Sequence, residues 1–518
     1  MKCGPALTKN KRMTTINNDT IVAISTPHGM GGIAVVRVSG DDAISIVEKR
    51  WKGAPISEMK SHTAHFGRLL NTCGELLDEV VLTLFRGPHS FTGEDVIEIA
   101  CHGSMWIQQQ VVNTLIDAGC RSATGGEFTQ RAFGNGKLDL SQAEAIADVI
   151  ASSSRASHRV AMNQMRGAFS RRLTSLRAQL LQFVSLIELE LDFSEEEVNF
   201  ADRGKLIDLA TGIKSVIYSL ADSYSAGNAI KNGLPVAIVG QTNAGKSTLL
   251  NALLGDDRAL VSDIKGTTRD VIEDTITLGG TLFRFIDTAG IRESGDVIEN
   301  MGIERSFKKL DEAQLVLWVV DPSEGADEIA TFSQQILPRC EGKKLLVVVN
   351  KIDTTDQATQ TEVARVIEQQ ISGNVEAQTI YVSARDGQNM EALNQAIIKM
   401  AALPSVADDE AVIVTNARHY EALVRAGEAI TRSIDGLYSG LSGDFVSQDI
   451  RECMHYLGEI TGEISTDDIL GEIFSHFCIG KKFPIHIELW EGGGVECFAS
   501  VYSEFDLLEF EGEWWGLD

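Results

Sequence analysis

Eight consecutive residues, Gly240, Gln241, Thr242, Asn243, Ala244, Gly245, Lys246 and Ser247, carry the spacing GxxxxGK[ST]. They lie between the apolar run 236–239 and an apolar helix start that follows Thr248. Glycines let successive backbone amides turn toward phosphate oxygens, and a helix N-terminus adds partial positive charge. Lys246 is placed to neutralise β- and γ-oxygens, and Ser247 to offer a hydroxyl to Mg2+. Asp287 ends the apolar run 282–286 and is followed by Thr288, Ala289 and Gly290. An aspartate there suits the magnesium shell, and a glycine three residues on can sense a γ-phosphate. Asn350, Lys351, Ile352 and Asp353 follow the run 345–349, and Ser383, Ala384 and Arg385 follow the run 379–382. The Asp353 carboxylate can accept two hydrogen bonds from the N1 and N2 edge of guanine, a donor pair that adenine lacks. Alone, either of the last two motifs reads as a polar loop. In this order behind a phosphate loop, they imply a guanine-nucleotide site.

Such loops must hang from strand ends, and the segment from about 229 to 403 alternates short apolar runs with helical spacing, the pattern of a doubly wound α/β domain. Before it, residues 19–133 mix β-like runs (33–38, 80–85) with glycine-rich turns and a helical stretch at 107–118, which predicts an α+β domain. From Leu138 to about Ala226 the apolar spacing is helical, with few glycines and no proline, and helical spacing resumes near Val412. The α/β segment therefore reads as an insertion between two halves of a helical bundle.

At 518 residues the chain has room for about three domains. Its eight cysteines are scattered without a CxxC pair, the first twelve residues contain no apolar signal stretch, and no run approaches about 18 apolar residues, so a reduced, cytoplasmic protein without a membrane span is expected. A net charge of −27 argues against a whole-surface grip on nucleic acid. Any RNA contact needs a local patch or a partner. One patch is visible: residues 151–182 hold six arginines (Arg155, Arg159, Arg166, Arg171, Arg172, Arg177) and no acidic residue. It reads either as a helix face paired with acidic segments of the same chain or as an RNA contact.

With these residues in view, the chain closely resembles the MnmE (TrmE) tRNA-modification GTPase family from about residue 19 to 481. The resemblance includes stretches a generic GTPase lacks: TPHGMGGIAVVRVSG, SFTGEDVIEIACHG, GEFTQRAFGNGKLDLSQAEAIADVI and FCIGK at 477–481. It implies an α/β multidomain fold: an N-terminal α+β folate-binding-like and dimerisation domain (14–136), a discontinuous helical bundle (137–228 and 404–481), and an inserted doubly wound P-loop GTPase domain (229–403). It also implies a homodimer that forms a heterotetramer with an FAD-dependent MnmG/GidA-like protein. Together these would install an aminomethyl-type group at C5 of the tRNA wobble uridine, with the one-carbon unit from 5-formyl- or methylene-tetrahydrofolate, and with tRNA held mainly by the partner.

Carried over by position, Arg37, Glu98, Lys137 and Lys481 resemble the folate contacts. Lys and Arg suit the carboxylates of folate and Glu98 its pterin N–H groups. Ile291 stands where a Ras-like enzyme has its water-orienting glutamine, so the resemblance gives that catalytic role to Glu293. It further implies K+ in place of an arginine finger. Its ligands would be Asn243, Ser262, Ile264 and Thr267, within a loop of Ser262, Asp263, Ile264, Lys265, Gly266 and Thr267 that closes over the ion, while Thr268 joins Ser247 on Mg2+. Thr242, Ser262, Lys265 and Met30 depart from the residues common in the family. So does the extension 482–518, with one lysine, nine acidic residues and three of the six tryptophans. A regulatory or ribosome-assembly GTPase that binds RNA without covalent chemistry shares the central motifs and is the alternative; only the N-terminal stretches separate the two.

Overall fold

The computed structural model describes residues 19–192, 203–255, 274–286, 310–371, 376–401, 412–464, 470 and 473–474. The chain divides into two units, one running to Lys137 and resuming at Leu470, the other from Leu138 to Ile469. Among the described residues, no helix is long and apolar enough to cross a membrane.

In the first unit the strands are β1 (Ile21–Ile24), β2 (Ile33–Ser39), β3 (Trp51–Lys52), β4 (Thr63–Leu70), β5 (Leu76–Phe85), β6 (Val96–His102) and β7 (Arg121–Ser122). They form one sheet in the order β3-β4-β5-β6-β2-β1-β7, antiparallel except for the β1–β7 pair. Among the described residues up to Lys137, helices α1 (Ala43–Glu48), α2 (Met105–Ala118) and α3 (Glu127–Gly134) accompany the sheet. Alternation fixes the sheet's faces: on β5, Val80, Leu82 and Leu84 are buried while Val81 is exposed beside its cross-strand partner Phe66. Phe474, near the chain's far end, is buried in this unit against Phe133.

The second unit opens with α4 (Leu140–Ala151), α5 (Arg155–Met165), α6 (Ala168–Asp192) and α7 (Arg203–Asn232). The near-continuous helical spacing of the sequence is thus divided into separate helices. Asp139 and Ser154 form capping boxes with Gln142 and Ser157, which fix the starts of α4 and α5. Gly167, at positive φ, turns the chain into α6.

An α/β layer follows, made of β8 (Leu234–Val239), α8 (Lys246–Leu254), β9 (Asp274–Leu278), β10 (Thr281–Ile286), β11 (Leu315–Val320), α9 (Ala326–Ile336), β12 (Lys344–Val349), α10 (Gln357–Gln370), β13 (Glu376–Tyr381) and α11 (Met390–Ala401). The sheet order is β13-β12-β11-β8-β10-β9, and only β9 runs antiparallel to its neighbour. Every residue of β8 and β11 is buried, as expected for strands covered on both faces. β8 lies between β10 and β11, the strands that follow it in the chain on opposite sides. Its C-terminal end is therefore the switch point at which such folds bind ligands.

Helices α12 (Ala417–Ser439) and α13 (Gly443–Thr461) return to α6 and α7, and the four share one core that includes Phe183, Ile217, Ile430 and Ile450. Burial of each such side chain contributes about 1.5–3 kcal/mol. The inserted layer is pinned where it leaves and rejoins the bundle. Ile230 packs with Val160 and Ile413, while the amide of Val414 donates to Ser223 Oγ at 3.0 Å. Gly227 has no room for a side chain, since a Cβ there would meet Val414 O at 2.0 Å.

Candidate functional site

The loop between β8 and α8 is shaped by two residues in the left-handed region, Asn243 (φ 67°) and Gly245 (φ 93°). Asparagine tolerates that conformation and glycine adopts it freely. At Gly245 a Cβ would meet Asn350 Nδ2 at 2.3 Å, so the glycine is needed for space as well as for φ. No side chain caps α8, which leaves the first-turn amides around Ser247 and Thr248 for an external acceptor. Lys246 Nζ donates to the loop's own carbonyls, Gly240 at 2.9 Å and Gln241 at 2.6 Å, and burial pushes its pKa down. The ammonium is thus held inside the loop, where a bound anion would restore the charge balance that burial opposes.

Asn350 joins this loop to the other two. Its Nδ2 donates to Ala244 O at 3.0 Å, and its Oδ1 accepts from the Ala384 amide at 3.0 Å. It is 2% exposed, so both bonds are made away from water, where losing one is costly. Buried Ser383 and Ala384 are held further by a bridge between Ser383 and Gln388 and by donation of the Ile352 amide to Val382 O at 3.3 Å. Asp353 and Arg385, in the two loops that begin with Asn350 and Ser383, are exposed. Phosphate loop, Asp353 loop and Ser383 loop are thereby gathered at the C-terminal ends of β8, β12 and β13.

Two carboxylates of this site escape the motif reading. Asp321, directly after β11 and 5% exposed, accepts from Lys351 Nζ at 2.6 Å and from the amide and hydroxyl of Ser323 at 2.9 and 2.7 Å. Burial opposes its charge, but these bonds outweigh it and hold the pKa below the usual range. Lys351 sits at φ 59°, an uncommon conformation for a non-glycine residue, and the ion pair fixes its side chain there. Glu324 is raised to about 7, first by burial and then by Asp321, and its Oε1 is buried with no hydrogen-bond partner among the described residues. The signal for Asp321 was available: an aspartate ending an apolar run, as Asp287 does. Nothing local distinguishes Glu324.

Ser262, Asp263, Ile264, Lys265, Gly266, Thr267, Thr268, Asp287, Thr288, Ala289, Gly290, Glu293 and Lys481 lie outside the described residues. In the first unit, Arg37 and Glu98 face each other across β2 and β6. Arg37 Nε and Nη2 both donate to Glu98 Oε1, at 2.9 and 2.7 Å, and the guanidinium lies near the rings of Phe91 and Phe128. Lys137 Nζ donates instead to Pro88 O at 2.7 Å. Arg37 and Lys137 thus both touch the loop 88–93, at Phe91 and at Pro88. Neighbouring charges are more fully absorbed: Arg131, 2% exposed, bonds Asp19, Glu94 and Glu127, and Ser39 Oγ donates to Glu94.

Two stretches of the chain match known families. Residues 20–137 match the GTP-binding protein TrmE N-terminus, and residues 140–478 match the MnmE helical domain. Over 470 residues the chain is 55% identical to tRNA modification GTPase MnmE of Bacteroides fragilis, covering 90% of this chain and 100% of that protein. Identity to the same-named protein of Bacteroides thetaiotaomicron is 56% over 470 residues, again 90% of this chain and all of that one. For Flavobacterium johnsoniae it is 49% over 472 residues, with the same two coverages. Domain by domain and along nearly its whole length, the chain belongs to the MnmE family of tRNA modification GTPases.

Proposed function

We propose that this chain hydrolyses GTP in the inserted α/β layer, and that hydrolysis drives a tRNA modification carried out by the flanking parts. The observation that supports the reading is the bridge through Asn350, which joins the loop of Ala244 to that of Ala384 and lies three residues before Asp353, the carboxylate assigned to guanine. A triphosphate whose base is read at Asp353 would bring its phosphates to the uncapped start of α8 and to Lys246. Glu293 is assigned to orient the attacking water.

The donor chemistry present fits hard cations. Ser247 supplies a hydroxyl in the first turn of α8 and exposed Asn243 an amide oxygen, both oxygen ligands. Mg2+ would be held through Ser247 and Thr268, and K+ through Asn243, Ser262, Ile264 and Thr267. Bound there, the cations supply positive charge to the β- and γ-oxygens as negative charge builds toward the leaving group. In the first unit, Arg37, Glu98 and Lys137, with Lys481, are assigned to a tetrahydrofolate derivative whose one-carbon unit is destined for C5 of the wobble uridine. A homodimer working with an FAD-dependent MnmG/GidA-like partner completes the assignment.

Hydrolysis by the purified chain should require GTP and not ATP, and should run faster in K+ than in Na+ at equal ionic strength. Equal rates in the two salts would remove the K+ assignment. Wobble uridines from cells lacking the protein, read by mass spectrometry, should lose the C5 substituent; unaltered nucleosides would leave a regulatory or ribosome-assembly GTPase as the better account.

A further inference from the structure

Four arginines of the helical bundle are matched to carboxylates. Arg418 pairs with Glu144 at 3.0 Å, Arg432 with Asp449 and Glu452 at 3.1 and 2.6 Å, Arg177 with Glu463, and Arg451 with Glu188. Arg155, Arg166, Arg171 and Arg172 differ: all four are exposed, and among the described residues none of them joins an ion pair. That is unexpected in a chain with 73 acidic residues against 46 basic ones. Arg155 and Arg166, eleven residues apart, fall on one side of α5, about 16 Å from end to end. Arg171 Nη1 donates to Arg166 O at 2.8 Å, which draws a second guanidinium to the C-terminal end of the same helix. A cation at a helix C-terminus is favoured by the helix dipole, which accounts for Arg166 and Arg171 but not for Arg155 at the start of α5 or Arg172 on α6.

We propose that this face of α5 and the start of α6 binds the phosphate backbone of an RNA stem, the inference resting on the tRNA-modification reading above. Guanidinium groups match phosphate oxygens in a bidentate way, and a row of them with no acid between them attracts a polyanion that the rest of a −27 surface repels. The chemistry favours backbone over bases. The face offers little for stacking unpaired bases: the only ring of Phe, Tyr or Trp in residues 151–182 is Phe169, 1% exposed, which leaves exposed His158 and the guanidinium planes themselves. The opposite face of α5 is committed inward: Val160 packs with Ile230 and Ile413, and Gln164 Nε2 donates to Ile413 O at 2.8 Å. RNA on the outer face would therefore rest on the helix that anchors both ends of the inserted layer.

The test is fluorescence anisotropy of a labelled, folded tRNA transcript with the full-length chain, titrated between 50 and 200 mM KCl. Each neutralised phosphate contributes about 0.7–0.9 to the slope of log affinity against log salt. The triple variant R166Q/R171Q/R172Q should bind at least about tenfold more weakly at the low-salt end, with the slope reduced by roughly 2–3. The matching lysine variant should keep the slope. GDP affinity and RNA-free GTP hydrolysis, neither of which uses these positions, should not change and so report intact folding. Undiminished RNA affinity in the glutamine variant, or no binding by the unaltered chain, overturns the proposal. So does a synthetic peptide of residues 482–518 that binds the unaltered chain but not the variant while RNA affinity stays the same, since that assigns the arginines to an internal acidic partner. Failure of the wobble-uridine assay would instead sink the tRNA-modification reading and leave the anisotropy result standing.

Discussion

The nucleotide layer and the first unit both hold the charged residues their motifs call for, but they hold them in opposite states. At the end of β8 most groups assigned to ligand have open valences: the start of α8 is uncapped and Asp353 is exposed, Lys246 is bonded to the carbonyls of its own loop, and buried Asn350 does the internal joining. In the first unit Arg37 and Glu98 satisfy each other, and Lys137 satisfies a carbonyl. The first arrangement is preorganised apart from the Lys246 bonds to Gly240 O and Gln241 O, so less has to be undone on binding. The second requires any ligand to compete with bonds already made, which predicts weaker affinity for the same number of contacts.

Asn350→Ala offers the largest break in this contrast. It leaves Ala244 O and the Ala384 amide without their buried partner, at about 1–3 kcal/mol for each group. Affinity for a fluorescent GDP analogue should fall more than about 100-fold, because the phosphate and base loops lose their common frame. A change below about threefold would mean that the loops are positioned independently.

Asp353→Asn sharpens the same point from the ligand side. Exposed Asp353 carries none of the internal bonds that Asn350 carries, so melting temperature should stay the same. GTP affinity should drop by about 10- to 100-fold, the loss of a charge-assisted hydrogen bond, and xanthosine triphosphate should become the better ligand. An unchanged preference for GTP removes the base-recognition argument.

What could be read in the sequence divides along the same line. The strand–loop–helix order around Lys246 was legible because its parts are adjacent in the chain, and the helical and α/β patterns showed which elements carry it. The contacts that make the site one object were not. Asn350 reaches Ala244 across 106 residues, and Lys351 reaches Asp321 across 30, through strand neighbours that local spacing does not encode. The pairing of Arg37 with Glu98 depends on the register of β2 against β6, which the alternation of each strand alone cannot set. Some motif residues proved to hold the domain together: Glu94 and Arg131, both inside stretches that carry the family resemblance, neutralise each other. The helical spacing of 138–226 hid the breaks before α5 and α6, since Ser152 to Ser154 and Gly167 interrupt it too briefly to disturb an apolar period.

For the first unit, Arg37→Gln tests the competition directly. The ion pair is partly exposed, so its loss should lower unfolding stability little, by less than about 1 kcal/mol. Calorimetry with 5-formyltetrahydrofolate should nevertheless show about tenfold weaker binding than the unaltered chain, the size of one charge-assisted bond. If Glu98→Gln, which frees the guanidinium, tightens that binding while Arg37→Gln weakens it, the pair is a restraint that the ligand must open. Equal affinities in all three proteins would confine Arg37 and Glu98 to a structural role.

The smallest effect concerns Glu324, whose carboxyl is raised to about 7 by burial and by Asp321. Its ordinary value is 4.5, so between these two values the folded chain holds a proton that the unfolded chain has released. Stability from this group is therefore fully present below about 4.5 and is lost as the pH rises through about 7. Glu324→Gln keeps a neutral side chain at every pH and should remove that decline. The gain expected at pH 8 is about 1 kcal/mol once solvent screening is allowed for, with little difference below pH 5. The unfolding transition to follow is the one that GDP shifts upward, because ligand linkage marks it as the nucleotide layer's own. A variant whose transition tracks that of the unaltered chain across this range would show that Glu324 is already charged at neutral pH, with Lys246 and Lys351 offsetting both its burial and Asp321.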